Sequence, residues 1–149
     1  MWEGVFELPH YVILKKDFDE EIGETYTIHR HTIPSFIPIV EIYETTMKEG
    51  VSGLEQFAQS LHRHLISFSN RAAIVARLKK VIGVEEVKTD EAVRLVEVVT
   101  AEWSAKIMLG EKAERCVVID HEKSRRKDVE EIILDQSKGD LVERVSMAM

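Results

Sequence analysis

His31-Thr32-Ile33-Pro34-Ser35-Phe36-Ile37-Pro38 is the stretch on which the reading of this chain turns. Two prolines four positions apart forbid both a regular helix and an interior strand. Each also pushes the residue before it, Ile33 or Ile37, into extended geometry. Between them stands a bulky apolar set of Ile33, Phe36 and Ile37. A rigid loop that folds back and buries its own side chains answers both demands. The backbone must change direction here, so one kind of element ends before residue 32 and another begins after Pro38.

Upstream the pattern is β. His10-Tyr11-Val12-Ile13-Leu14 is a compact aromatic and β-branched run, bounded by Pro9 and by Lys15-Lys16-Asp17. Asp17 to Glu24 reads as an acidic hairpin loop containing Gly23. Thr25 to His31 then forms a second strand, with Tyr26 and Ile28 on one face. Downstream the period changes to that of a helix. Ile39 to Glu49 carries Ile39, Ile42, Tyr43 and Met47 on one stripe and stops at Gly50. Ser52-Gly53-Leu54-Glu55 has the capping-box spacing. From there Leu54, Phe57, Ala58, Leu61, Leu65, Phe68, Ala72, Val75, Leu78 and Ile82 recur every three or four residues, up to Gly83. A helix of about 28 residues would span roughly 42 Å, long enough to serve two packed units. Ser67-Phe68-Ser69-Asn70 is the place where it could instead break.

The second half returns to β. Val93 to Val99 is rich in β-branched residues, and Trp103, Ala105 and Ile107 alternate after it. Gly110 marks a turn, Arg115 to Asp120 reads as a further strand, and Asp128 to Leu134 has helical spacing. Gly139 interrupts that helix, and Leu141, Val142 and Val145 form a last short turn or two. The order is β-β-loop-α-α followed by β-β-β-α. Such grouping predicts an α+β fold rather than a doubly wound parallel sheet. No sequence repeat relates the halves.

Composition narrows the function classes. The chain has 149 residues, 44% hydrophobic and 32% charged, which is ordinary globular material. No run approaches the ~18–20 apolar residues that cross a bilayer. Met1-Trp2-Glu3-Gly4 lacks the basic and apolar regions of a signal peptide, so a soluble intracellular protein is expected. The net charge of −7 argues against nucleic-acid binding, which draws on excess Lys and Arg. The one basic run, Lys123-Ser124-Arg125-Arg126-Lys127, lies between Glu122 and Asp128 and reads as a solvated loop. Cys116, the single cysteine, falls in a strand pattern and reads as a small core hydrophobe.

Nothing nominates a catalytic, cofactor or metal site. His29 and His31 would share a face of a regular strand, but a metal needs further ligands. His62 and His64, two apart on a helix, point in opposed directions. Phosphate-binding glycine loops, the zinc-protease spacing and the serine nucleophile elbow are all missing. Glu20/Glu21, Glu85/Glu86 and Glu130/Glu131 are adjacent in sequence and read as solvated surface. Trp103 and Phe57 read as core or interface.

The proline stretch also carries a resemblance. RWD domains, which resemble ubiquitin-conjugating enzymes without the catalytic cysteine, have an aromatic-Pro-x-x-x-Pro loop after a strand. Ile33-Pro34-Ser35-Phe36-Ile37-Pro38 is similar, with Ile33 in the aromatic position. The longer string from His31 to Pro38 resembles the His-Thr-Ile-Pro-x-Phe-Ile-Pro segment of the CENP-O family of inner-kinetochore subunits. The similarity continues through Leu54-Glu55-Gln56-Phe57 and the helix to Leu78; beyond Gly83 it is one of element order.

The resemblance implies tandem RWD-like domains, a first over residues 1–68 and a second over 69–149, joined by the helical region 54–82. It implies a non-catalytic subunit of the constitutive centromere-associated complex in the nucleus, serving chromosome segregation. Its partners would be a CENP-P-like tandem RWD subunit and CENP-Q/CENP-U-like coiled-coil subunits, with no membrane or direct nucleic-acid contact. Ile33, Pro34, Phe36, Ile37 and Pro38 form the signature loop, with either a packing or a partner-binding role. The family's N-terminal coiled coil and the helix that opens an RWD domain have no counterpart ahead of the first strand, which implies an incomplete first domain. An RWD-type adaptor in a ubiquitin- or kinase-related pathway is the alternative expectation.

Overall fold

The computed structural model describes residues 9–48, 50–110 and 112–149. The expectations placed on residues 1–4, and on Glu49 as a helix end, lie outside the described residues. The fold is α+β, with two antiparallel sheets and helices. The chain divides into two compact units, Met1–His64 and Leu65–Met149, with one sheet in each.

In the first unit β1 (Val12–Asp19) pairs with β2 (Gly23–His31). The hairpin is longer than its hydrophobic pattern suggests, because Asp17 to Glu24 is largely strand and not loop. On a two-stranded ribbon charged side chains reach water from either face, so Lys15, Lys16 and Asp17 do not end the strand. Lys16 Nζ meets Glu24 2.6 Å away on the neighbouring strand. The true turn is residues 20–22, held by Asp19 Oδ1, which accepts from the Glu21 and Ile22 amides at 2.8 and 3.1 Å. Gly23 closes it at φ +89°, where a side chain would be strained.

After the proline loop come α1 (Ile39–Thr46), a 3-10 turn (Gly50–Gly53) and α2 (Leu54–Leu78). Residues 54–64 of α2 belong to the first unit and residues 65–78 to the second. The helix runs unbroken through Ser67–Asn70. Ser67 Oγ there accepts from Arg71 Nη1 at 2.7 Å, which uses the hydroxyl within the helix. It ends four residues before Ile82, since the Lys80 and Val81 amides bond to Arg77 and Leu78 carbonyls in the tighter three-residue pattern.

The second unit is a four-stranded meander, β3 (Val84–Thr89), β4 (Leu95–Thr100), β5 (Trp103–Leu109) and β6 (Ala113–Asp120), in that spatial order. Alternation puts Val96, Val98, Trp103, Ala105, Ile107, Cys116 and Val118 on the inner face. They pack with Val75 and Leu78 of α2 and with Val129 and Ile133 of α3 (Lys127–Leu134). Leu141 and Val145 of α4 (Leu141–Met147) complete the core. β3 has no counterpart in the sequence reading, which sees three strands here. It is an edge strand with four polar residues, and only Val84 and Val87 are half-buried, so alternation is too weak to mark it.

Buried polar groups set the connections. Arg71 donates from Nε and Nη2 to the Ala92 carbonyl, bracing the β3–β4 turn where Val93 sits at φ +54°. Thr100 Oγ1 accepts from the Trp103 amide at 3.1 Å and so forms the β4–β5 turn. Arg144 donates to the Ile133 carbonyl at 2.6 Å, a cation at the end of α3 where carbonyls lack helical partners. Glu130, 8% exposed at its side chain, accepts from the Val118 amide on the outer edge of β6 at 2.9 Å. Among the described residues no helix is long and apolar enough to cross a membrane.

Two measurements check this core. Trp103→Ala removes a ring that is 2% exposed and is expected to cost about 3–5 kcal/mol in urea unfolding. The Arg125 guanidinium, bonded to both Glu130 oxygens, holds that carboxyl below its ordinary value of 4.5. A depressed folded value means that the stabilisation is complete above pH ~4.5 and lost as pH falls through the folded value. The melting-temperature gap between the wild type and Glu130→Gln should therefore shrink from about pH 6 to about pH 3. A gap that stays constant would remove Glu130 from the acid response.

Candidate interaction site at the proline loop

Residues 32–38 lead from β2 into α1. At their start the Thr32 amide donates to the Tyr11 carbonyl at 3.0 Å, and Thr32 Oγ1 accepts from the Tyr11 amide at 2.9 Å. His10 Nδ1 lies 3.0 Å from the Thr32 carbonyl. The chain then turns twice. The Ile37 amide donates to the Pro34 carbonyl at 3.0 Å, closing a four-residue turn. The Ile39 amide donates to the Ile37 carbonyl at 2.8 Å. Pro38 is the centre of that tighter turn at φ −78°, ψ 68°, the inverse γ conformation that its ring favours. Its carbonyl accepts from the Ile42 amide at 3.0 Å, so the same residue starts α1.

This geometry sorts the loop's side chains. Ile33 and Ile37 are 7% and 4% exposed, Pro34 and Phe36 are half-buried, and Pro38 is exposed. Ile39 and Ile42 of α1, Met47 just after it, and Phe57 and Leu61 of α2 are the other buried apolar residues among the described residues of the unit. Tyr43 ties helix to strand by donating its hydroxyl to the Tyr26 carbonyl at 2.5 Å, and its ring meets Phe57 edge-on. Gly53 allows the next turn to approach closely, since a Cβ there would collide with the Thr46 carbonyl.

The other candidate residues are scattered. Ile13 pairs with Arg30 and Leu14 with Ile28, so His29 is the extra residue of a β-bulge. The bulge breaks the alternation that would set His29 beside His31, and both are exposed. Among the described residues no group of three or more His, Cys, Asp or Glu is gathered around one point. Cys116 is buried on the inner face of β6, and burial, followed by the nearby Glu130 charge, pushes its thiol up to about 12. The basic run is only partly a solvated loop. Its residues 124–126 pair back onto the β6 edge, where the Arg126 amide donates to the Val118 carbonyl at 2.9 Å. Arg125 and Arg126 are bound to Glu130 and Asp128.

The structure adds a feature that the sequence pattern hides. In the first unit Tyr11, Ile13, Phe18, Ile22 and Val40 are exposed, Phe18 to 76%. Phe18 and Ile22 are isolated among acidic residues, so only a local reading of large apolar side chains flanked by charge would have marked them.

The family model for the Cenp-O kinetochore centromere component matches residues 1–147. The chain belongs to the CENP-O family. Membership makes it a component of the kinetochore at the centromere, and the match takes in both units. No curated protein matches the chain. In this CENP-O family member, Ile33 and Ile37 are core residues of the first unit, whereas Pro34 and Phe36 are half-buried and Ser35 and Pro38 are exposed.

Ile37→Ala is therefore expected to cost about 2–5 kcal/mol of first-unit stability, and Phe36→Ala distinctly less, in urea unfolding. If the order were reversed, the loop's packing role would be misassigned. Cys116 should react with iodoacetamide only as fast as the second unit opens, and at full speed in denaturant. Rapid alkylation of the native chain would contradict its burial.

Proposed function

We propose that this chain is a non-catalytic structural subunit of the constitutive centromere-associated complex of the inner kinetochore, in the nucleus, contributing to chromosome segregation. The observation that carries this reading is the family match along almost the whole chain. On this reading it pairs with a CENP-P-like tandem RWD subunit and helps to seat CENP-Q/CENP-U-like coiled-coil subunits.

Its two units are tandem RWD-like domains of the ubiquitin-conjugating lineage. In support, the second unit has a helix, a four-stranded antiparallel meander and two closing helices. The proline loop also stands between a strand and a helix, as it does in RWD domains. A non-catalytic role agrees with a lone cysteine that is buried and protonated at neutral pH. An assembly role agrees with the exposed Phe18, Ile22 and Val40, since exposed apolar side chains gain stability when a second chain covers them.

Co-expression with the CENP-P-like subunit of the same organism, followed by size-exclusion chromatography with light scattering, tests the pairing. A 1:1 complex is expected, more stable to heat than this chain alone. Two species that elute separately at micromolar concentration would refute the pairing.

A further inference from the structure

Residues 121–126 turn back antiparallel along β6, and the hydrogen bonds at the end of that return depart from strand pairing. Ile119 bridges Arg125, which sets Asp120 opposite Ser124 and Val118 opposite Arg126. At the first of these pairs the Asp120 amide donates to the Ser124 carbonyl at 3.0 Å. At the second the Arg126 amide donates to the Val118 carbonyl at 2.9 Å. In an antiparallel pair of this kind the reciprocal bond would run from the Val118 amide to the Arg126 carbonyl.

That bond is replaced by two others. The Arg126 carbonyl accepts from the Glu130 amide at 3.1 Å, the first bond of α3, and the Glu130 carboxylate accepts from the Val118 amide at 2.9 Å. Val118 is wholly buried, so its amide needs an acceptor. The Arg126 carbonyl thus has two possible donors, one that continues a strand and one that starts a helix. Arg126 stands between those states, at φ −99° and ψ 78°, about 60° in ψ from a strand.

We propose that Glu130 is a carboxylate gate on a strand-to-helix switch, the residue that ends the return along β6 and starts α3. By taking the Val118 amide it leaves the Arg126 carbonyl to begin the helix. Arg125, bonded to both carboxylate oxygens, holds the gate in place, and Asp128, 2.7 Å from Arg126 Nη2, braces the first turn. Without the carboxylate, rotation of the peptide after Arg126 gives its carbonyl to Val118. The return strand then lengthens past residue 126 and α3 loses its first turn, which draws Val129 out of the core. One side chain therefore selects between two backbone arrangements of the same segment. The device lies wholly within the second unit and is independent of the pairing proposed above.

Amide exchange and carbon chemical shifts, measured by NMR on the full chain as wild type, Glu130→Ala and Glu130→Gln, test this. In Glu130→Ala the Val118 amide should stay protected, while the amide of residue 130 should exchange at least about tenfold faster. Residues 127–129 should move from helical to extended shifts in the same variant. In Glu130→Gln, whose side-chain carbonyl still accepts, both amides should keep their wild-type protection. A fast Val118 amide beside an intact first turn in Glu130→Ala would overturn the proposal, because the carboxylate would then be no more than a plug on the edge. Loss of the first turn in Glu130→Gln would overturn it too, and that variant decides alone if Glu130→Ala does not fold.

Discussion

The first unit depends on one backbone constraint, the fixed φ and missing amide of Pro38. The ring holds the residue in an inverse γ-turn that ends the extended path from β2, and the same residue then offers its carbonyl to the first turn of α1. Ile33 and Ile37 are buried because the two turns fold them inward, and α1 leaves the loop with Ile39 and Ile42 on its buried side. Tyr43 then reaches the β2 backbone and Phe57. A residue free to extend at position 38 would lose this order, whatever its hydrophobicity.

The second unit solves a different problem, the closing of a sheet edge. β6 is an outer strand, yet residues 124–126 lie along it and Glu130 binds the Val118 amide. The carboxylate is stabilised there because Arg125 neutralises it, and a buried charge without such a partner would be costly. The opposite edge is guarded by composition, since β3 carries Glu85, Glu86 and Lys88 into solvent. β1 carries Lys15, Lys16 and Asp17 and also exposes Ile13 and Phe18.

Much of the plan was legible because period and punctuation agreed. Pro34 and Pro38 marked the loop, the three- and four-residue spacing from Leu54 marked α2, and the alternation through Trp103, Ala105 and Ile107 marked β5. Illegible features had weak or contrary local signals. β3 is mostly charged, the middle of the hairpin reads as a polar loop, and residues 79–83 continue the helical pattern although the chain leaves the helix there. The bulge at His29 cannot be seen in one strand, because it is a property of the pairing with Ile13 and Leu14.

The sequence by itself therefore determined the α+β class, the turn after β2, the helix that follows and the family, since each rests on local residue chemistry. The bulge at His29 was decided only in three dimensions, as were the capture of residues 124–126 by the β6 edge and the exposure of Phe18. Those features depend on which backbone edges and faces find a neighbour. Residues distant in the chain supply that neighbour, and hydrophobic period carries no record of them.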